Sequence, residues 1–113
     1  MIMYMSLIDN EYDKIKFEDI YGKYKKMMFW IANQILNDER DIEEVVQDSF
    51  IKIIRNLDKI EKINSKKTKS FISIIVKNTA IDVYRKNLSN KVEVELDDNF
   101  IFPSDELEEV EIE

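Results

Sequence analysis

Two groups of side chains in this sequence have the types and spacing to act on a partner. Between Lys59 and Lys91 nine basic residues (59, 62, 66, 67, 69, 77, 85, 86 and 91) stand against only Glu61 and Asp82, a local charge of +7. Cations at that density neutralise phosphates, although a solvated lysine-rich loop has the same composition. Asn64 and Ser65 stand just ahead of Lys66, Lys67 and Lys69, so small hydrogen-bonding groups adjoin point charges. Further on, Asn78, Asp82 and Arg85 follow one another at helical steps, with Lys77 and Lys86 beside them. Asn and Arg read base edges and phosphates well. Equally, Asp82 forms an ordinary surface pair with Arg85 or Lys86 one turn away. The second group is Glu44, Gln47, Asp48 and Ile51, which share one helical face by their steps of three and four. An isoleucine ringed by polar groups fits a docking surface. It also fits a lone exposed apolar residue.

Bond-making chemistry is disfavoured. The 113 residues include no histidine and no cysteine, which removes the usual general base, the commonest metal ligands and any disulfide framework. The carboxylate pairs fall on exposed helical faces and no nucleophile–base arrangement is visible. No enzyme activity, metal or cofactor is therefore expected. No apolar run approaches the roughly 20 residues that span a bilayer, and the N-terminus lacks the basic flank and cleavage site of a signal peptide. A cytoplasmic protein without membrane insertion is expected. The net charge of −7 conceals a division, because Val92 to Glu113 holds ten acidic residues and no Lys or Arg. That composition predicts a flexible acidic linker.

One glycine and one proline are too few for a strand-and-turn architecture. Hydrophobic periodicity instead predicts an all-α fold, a compact bundle of three main helices. The first runs from about Phe17 to Leu36, with Phe17, Ile20, Tyr21, Tyr24, Met28, Ile31 and Ile35 on one stripe. Phe29, Trp30 and Leu36 fall off that stripe and need a second neighbour. The second runs from about Asp41 to Leu57, capped by Asp38 or Asp41, with Ile42, Val45, Val46, Ser49, Phe50, Ile53 and Leu57 facing inward. Residues 58–67 read as a loop. The third helix starts near Thr68 or Ser70, either a suitable cap, and continues to about Leu88. It is apolar on almost every side, the pattern of a buried bundle centre. Residues 1–16 are expected to form a short extra helix or a loose arm, 17–91 the helical domain, and 92–113 the linker.

Two of these segments carry a family likeness. Asp41-Ile-Glu-Glu-Val-Val-Gln-Asp-Ser-Phe-Ile-Lys-Ile-Ile54 resembles the core-binding helix of the extracytoplasmic-function sigma factors of bacterial RNA polymerase, whose pattern is close to D-A-E-D-L-V-Q-E-x-F-L-K-x-W. Phe71-Ile-Ser-Ile-Ile-Val-Lys-Asn-Thr-Ala-Ile-Asp-Val-Tyr-Arg-Lys86 is similar to their promoter-reading helix, F-x-x-W-L-x-x-I-A-R-N-x-A-I-D-x-L-R-R. Phe17-Glu-Asp-Ile-Tyr-Gly-Lys-Tyr24 resembles their first helix. The likeness covers about residues 17 to 88, in order and at the family's spacing, and corresponds to region 2. It implies that Glu44, Gln47, Asp48, Phe50 and Ile51 dock on the clamp coiled coil of the polymerase β′ subunit. It further implies that Asn78, Asp82 and Arg85 lie on the helix approaching the −10 element, where Asp82 either touches DNA or holds the fold. Residues 64–69 match the loop that captures an unstacked base of the non-template strand. An anti-sigma factor is an implied partner.

The sequence departs from the broader pattern in two places. Ile75-Val76 stand where primary sigma factors carry a tryptophan pair, which implies the narrower family that melts DNA without that wedge. No second helical domain for the −35 element follows residue 92, so a fragment or a shortened relative is expected. Two other functions remain in view. A stand-alone helix-turn-helix regulator needs a short, usually glycine-containing turn, which the loop between the second and third helices lacks. A protein-interaction module without nucleic acid leaves the basic stretch with no role.

Overall fold

Each long helix begins at a side chain that can hold its unpaired N–H groups. The computed structural model of the chain describes residues 2–95, with side-chain environments over 3–90. It contains α1 (Ile2–Met5), α2 (Glu11–Ile35), α3 (Glu39–Arg55), a short 3-10 turn (Leu57–Lys59) and α4 (Lys66–Glu95). The fold is all-α, with no strand among the described residues. Helices α2, α3 and α4 each pack against the other two.

The helix ends correct several expectations. Asn10 Oδ1 accepts from the Asp13 N–H at 2.8 Å, while its Nδ2 donates to the Asp13 carboxylate at 3.0 Å. Helix α2 therefore starts at Glu11, not Phe17. Apolar periodicity marks where a helix meets the core, whereas the first turns here, Tyr12 and Ile15 included, are exposed and run ahead of that contact. Asp38, one of the two expected caps, holds α3 by accepting from the N–H groups of Arg40 at 2.8 Å and Asp41 at 3.4 Å. At α4 the cap is neither Thr68 nor Ser70 but Ser65, whose hydroxyl accepts from the Thr68 N–H at 3.2 Å. Helix α4 also passes Leu88 and the expected linker start at 92 to reach Glu95. No glycine or proline interrupts the chain between Gly22 and Pro103, so nothing in the local backbone stops it earlier. The rest of the expected acidic linker lies outside the described residues.

The core is centred on Phe17, Ile20, Met28, Val45, Phe50, Ile53, Ile72 and Val76, all essentially without exposure. Of the two forms expected for the N-terminal residues, the short helix is present as α1, and Tyr4 and Ile8 are buried in this core. The Tyr4 ring lies 5.6 Å from Phe17 and 5.4 Å from Phe50, and Tyr21 lies 4.8 Å from Phe50. Phe17 meets Phe50 edge-on at 82°. Such tilted and edge-on pairs add roughly 0.5–1.5 kcal/mol each beyond area burial. Of the three residues expected to need a second neighbour, Leu36 is buried and Phe29 half-buried, but Trp30 stays 64% exposed.

Helix α4 is not the enclosed centre that its composition suggests. It buries Ile72, Val76, Ala80 and Ile81, leaves Phe71, Ile75, Val83 and Tyr84 half-buried, and exposes Ile74 to 56%. With only two long neighbours, no helix of a three-helix bundle is covered all round.

Two substitutions test this packing. Phe50→Ala removes the hub of the aromatic cluster and should cost about 3–5 kcal/mol. Gly22 sits exposed inside α2, with open space where a methyl group would point, so Gly22→Ala should stabilise by about 0.5–1 kcal/mol. Urea unfolding of the two variants reads both values.

Candidate nucleic-acid and partner interface

The connection between α3 and α4 lacks long regular structure, yet side chains from the helices hold it along its length. Lys16 of α2 donates to the Leu57 carbonyl at 2.7 Å, and Asn56 Nδ2 donates to the Lys52 carbonyl at 2.7 Å. Leu57 and Ile60 are buried as apolar anchors. The Tyr24 hydroxyl donates to the Ile63 carbonyl, and the Thr68 hydroxyl donates to the Lys62 carbonyl. The Ser65 hydroxyl lies 3.1 Å from that same carbonyl. Burial pushes the Tyr24 phenol above its ordinary value, partly opposed by the Ser65 backbone group beside it. The phenol therefore stays a proton donor to the loop at neutral pH.

This pinning shapes two clefts. The first, about 500 Å³, lies between α2 and the end of the loop, lined by Lys23, Tyr24, Met27, Asn64, Ser65, Lys66 and Lys69. The second, about 800 Å³, has Ile60, Phe71 and Ile74 among its lining, with Lys59, Lys62 and Lys67 around them. The residues expected to meet DNA thus divide. Asn64, Ser65, Lys66 and Lys69 come together in the first cleft, while Lys67 belongs to the second. Ser65 lines both, but its hydroxyl is already engaged in capping α4, which limits it as a reader of bases.

The remaining group lies along α4. Asn78 is 12 positions beyond Lys66, about 18 Å at 1.5 Å per residue. Asn78, Asp82, Arg85 and Lys86 are exposed and Lys77 is half-buried. Farther along, Asn87 Nδ2 donates to the Asp41 carboxylate at 2.9 Å, tying α4 to the start of α3. At the positions compared with the tryptophan pair, Val76 is fully buried and Ile75 half-buried. Val76 is core.

On α3, Glu44, Gln47 and Asp48 are exposed, as their spacing suggested. Ile51 is half-buried and packs against the core, so it flanks this face instead of standing alone at its centre. Phe50 requires a correction. It is 1% exposed inside the aromatic cluster, so it supports the face from beneath and offers no ring to a partner. Tyr4 lies close by: burial first, then Tyr21 and the Asp48 charge, raise its phenol above the ordinary value.

Sequence reasoning missed the α2 wall of the first cleft. Lys23, Tyr24 and Met27 come from a helix read only for its apolar stripe. The signal that could have found it was the cluster Lys23, Lys25 and Lys26 on that same helix. Among the described residues no group of acidic side chains could hold a metal ion, and no helix is long and apolar enough to cross a membrane.

The family model of Sigma-70 region 2 matches residues 20–89, a span from α2 through α3 and the loop to the exposed stripe of α4. The chain belongs to that family. Sigma-70 region 2 is a sigma factor domain of transcription initiation, which binds core RNA polymerase and recognises the promoter −10 element. No curated protein and no solved structure matches the chain.

The tyrosine anchors make this arrangement sensitive to alkali. Both Tyr4 and Tyr24 titrate above the ordinary phenol value of 10.0. The unfolded chain therefore loses these protons first, and their contribution is constant below pH ~10 and declines as pH rises through that region. Tyr24→Phe should cost about 1 kcal/mol, speed amide exchange around Ile63, and make the alkaline decline shallower. Urea melts between about pH 8 and pH 11, compared with the unaltered chain, provide the check.

Proposed function

We propose that this sigma region 2 opens promoters by capturing an unstacked base of the non-template −10 strand in the cleft between α2 and the pinned loop. The observation that carries this reading is the cleft's composition on a braced frame. Lys23, Lys66 and Lys69 line the cleft together with Asn64, and Tyr24 both lines it and tethers the loop. Lysines neutralise the strand's phosphates without regard to sequence. The Asn64 amide can bond a Watson–Crick edge only after that base has left its partner. The exposed Asn78, Arg85 and Lys86 continue the polar surface along α4 toward the neighbouring nucleotides, while Asp82 orients the basic groups beside it. The unpairing cost of a few kcal/mol is offset by cleft contacts and phosphate neutralisation.

Docking on polymerase falls to Glu44, Gln47 and Asp48, flanked by Ile51, against the clamp coiled coil of the β′ subunit. An anti-sigma factor covering this face would block the same contact. The buried Val76 and half-buried Ile75 favour the extracytoplasmic-function type, which opens DNA without an aromatic wedge. A cytoplasmic location follows from that role.

Two measurements test the halves separately. Gln47→Ala combined with Glu44→Arg should weaken binding to core polymerase at least tenfold, roughly 1.4 kcal/mol. Stability should stay within about ±0.5 kcal/mol, and unchanged polymerase affinity would remove α3 from the interface.

For DNA, fluorescence anisotropy compares the non-template −10 strand with the same sequence as duplex at several salt concentrations. The single strand should bind more tightly. Lys66→Ala or Lys69→Ala should weaken binding to all sequences and reduce the salt slope by roughly one unit. Asn64→Ala should instead relax discrimination at one base by about 1–3 kcal/mol. Tighter duplex binding, with discrimination untouched by Asn64→Ala, would favour a helix-turn-helix regulator.

A further inference from the structure

The indole of Trp30 stays 64% exposed on α2, although its place off the apolar stripe calls for a second neighbour. It lines a cleft of about 470 Å³ between α2 and α3, together with Phe29, Asn33, Glu39, Ile42 and Glu43. Phe29 is half-buried and Ile42 buried, whereas Glu39 and Glu43 are exposed. No Lys or Arg is among the lining residues. Glu39 belongs to the first turn of α3, where a carboxylate favours the helix on its own account. Glu43 lies one turn farther on, beyond the reach of that effect. A single exposed aromatic ring is ordinary, but an indole beside two carboxylates is an incomplete setting for a cation. Phosphate is repelled there, which disfavours nucleic acid as the occupant. A guanidinium suits the cleft better than an ammonium, because its plane stacks on an indole while its fork bonds carboxylates.

We propose that this cleft receives an arginine side chain of core RNA polymerase, stacked on Trp30 and paired with Glu39 and Glu43. Continuity with the α3 face selects that partner. A smaller cleft of about 270 Å³ shares Phe29 and Glu43 with this one and includes Gln47. Glu39, Glu43 and Gln47 also follow one another at steps of four on α3, which makes them one row of the helix surface. Lys25, which lines the smaller cleft, holds its ammonium 4.9 Å from the centre of the Tyr21 ring. The assignment rests on the proposed docking of α3 and adds to it a second wall, from α2, with a stated chemistry.

Trp30 is the single tryptophan of the chain, so hydroxytryptophan incorporated in its place is a probe that can be excited apart from the tryptophans of polymerase. In the full chain, adding core polymerase should lower acrylamide quenching of this probe at least about twofold, as a contact that excludes water requires. Trp30→Leu should weaken core binding at least about tenfold, and Trp30→Phe, which keeps a π face, should weaken it less. Glu39→Gln combined with Glu43→Gln should weaken binding severalfold and make it less sensitive to salt. Each variant changes exposed groups and should keep the urea midpoint of the unaltered chain. Gln47→Ala with Glu44→Arg serves as the reference for the α3 face. If that variant loses affinity while Trp30→Leu binds normally, the arginine site is overturned and α3 docking stands. If neither loses affinity, both fall. Equal binding by Trp30→Leu and Trp30→Phe would reduce the contact to an apolar one and overturn the cation. A decrease in quenching with chain concentration alone would place a second copy of the chain in the cleft and overturn the proposal as well.

Discussion

The backbone joining α3 to α4 has few regular hydrogen bonds of its own, and much of the interface depends on how that deficit is met. An exposed loop can leave its carbonyls to water, at the cost of a defined shape. Here Lys16 and Tyr24 of α2 take the Leu57 and Ile63 carbonyls, and Thr68 of α4 takes that of Lys62. Ile60 adds an apolar anchor between them. The loop is thereby fastened to α2 and α4, and its lysines project from a fixed frame. The proposed capture of a base in the cleft would need that fixity, because a mobile loop supplies charge but not geometry.

The same economy of anchoring governs α3. Its inner face is locked by Phe50 against Tyr4, Phe17 and Tyr21, and this orients Glu44, Gln47 and Asp48 outward. Helix α1 contributes through Tyr4, so the short N-terminal segment is tied to the proposed docking face although it carries none of the face's polar groups. If that face docks on polymerase as proposed, a core substitution at Phe50 would disturb binding indirectly. Its effect on stability separates it from changes at Gln47.

Much of this was legible in the residues. Period-3.6 spacing identified three long helices, Asp38 marked the start of α3, and the steps from Glu44 to Asp48 placed an outward face. What failed did so for physical reasons. Exposed first turns hid the start of α2, because periodicity reports contact with the core. Thr68 looked like a cap because its type suits one, but it is buried and bonds the loop. Phe50 entered the docking group through the family resemblance alone, although its spacing already turned it inward, and its burial follows the spacing. The Lys23–Tyr24–Met27 wall was invisible because cleft walls form between elements distant in sequence, and a one-dimensional pattern does not record which helix a loop returns to.

In the proposed mechanism a single unstacked base enters the cleft beside Asn64. The most direct measurement places a photo-crosslinking amino acid at Lys69, on the rim of that cleft, in the chain assembled with core polymerase on promoter DNA. The account predicts crosslinking to one position of the non-template −10 strand, appearing only when the promoter opens. Crosslinks to closed duplex, to the template strand, or spread evenly along the non-template strand would contradict it.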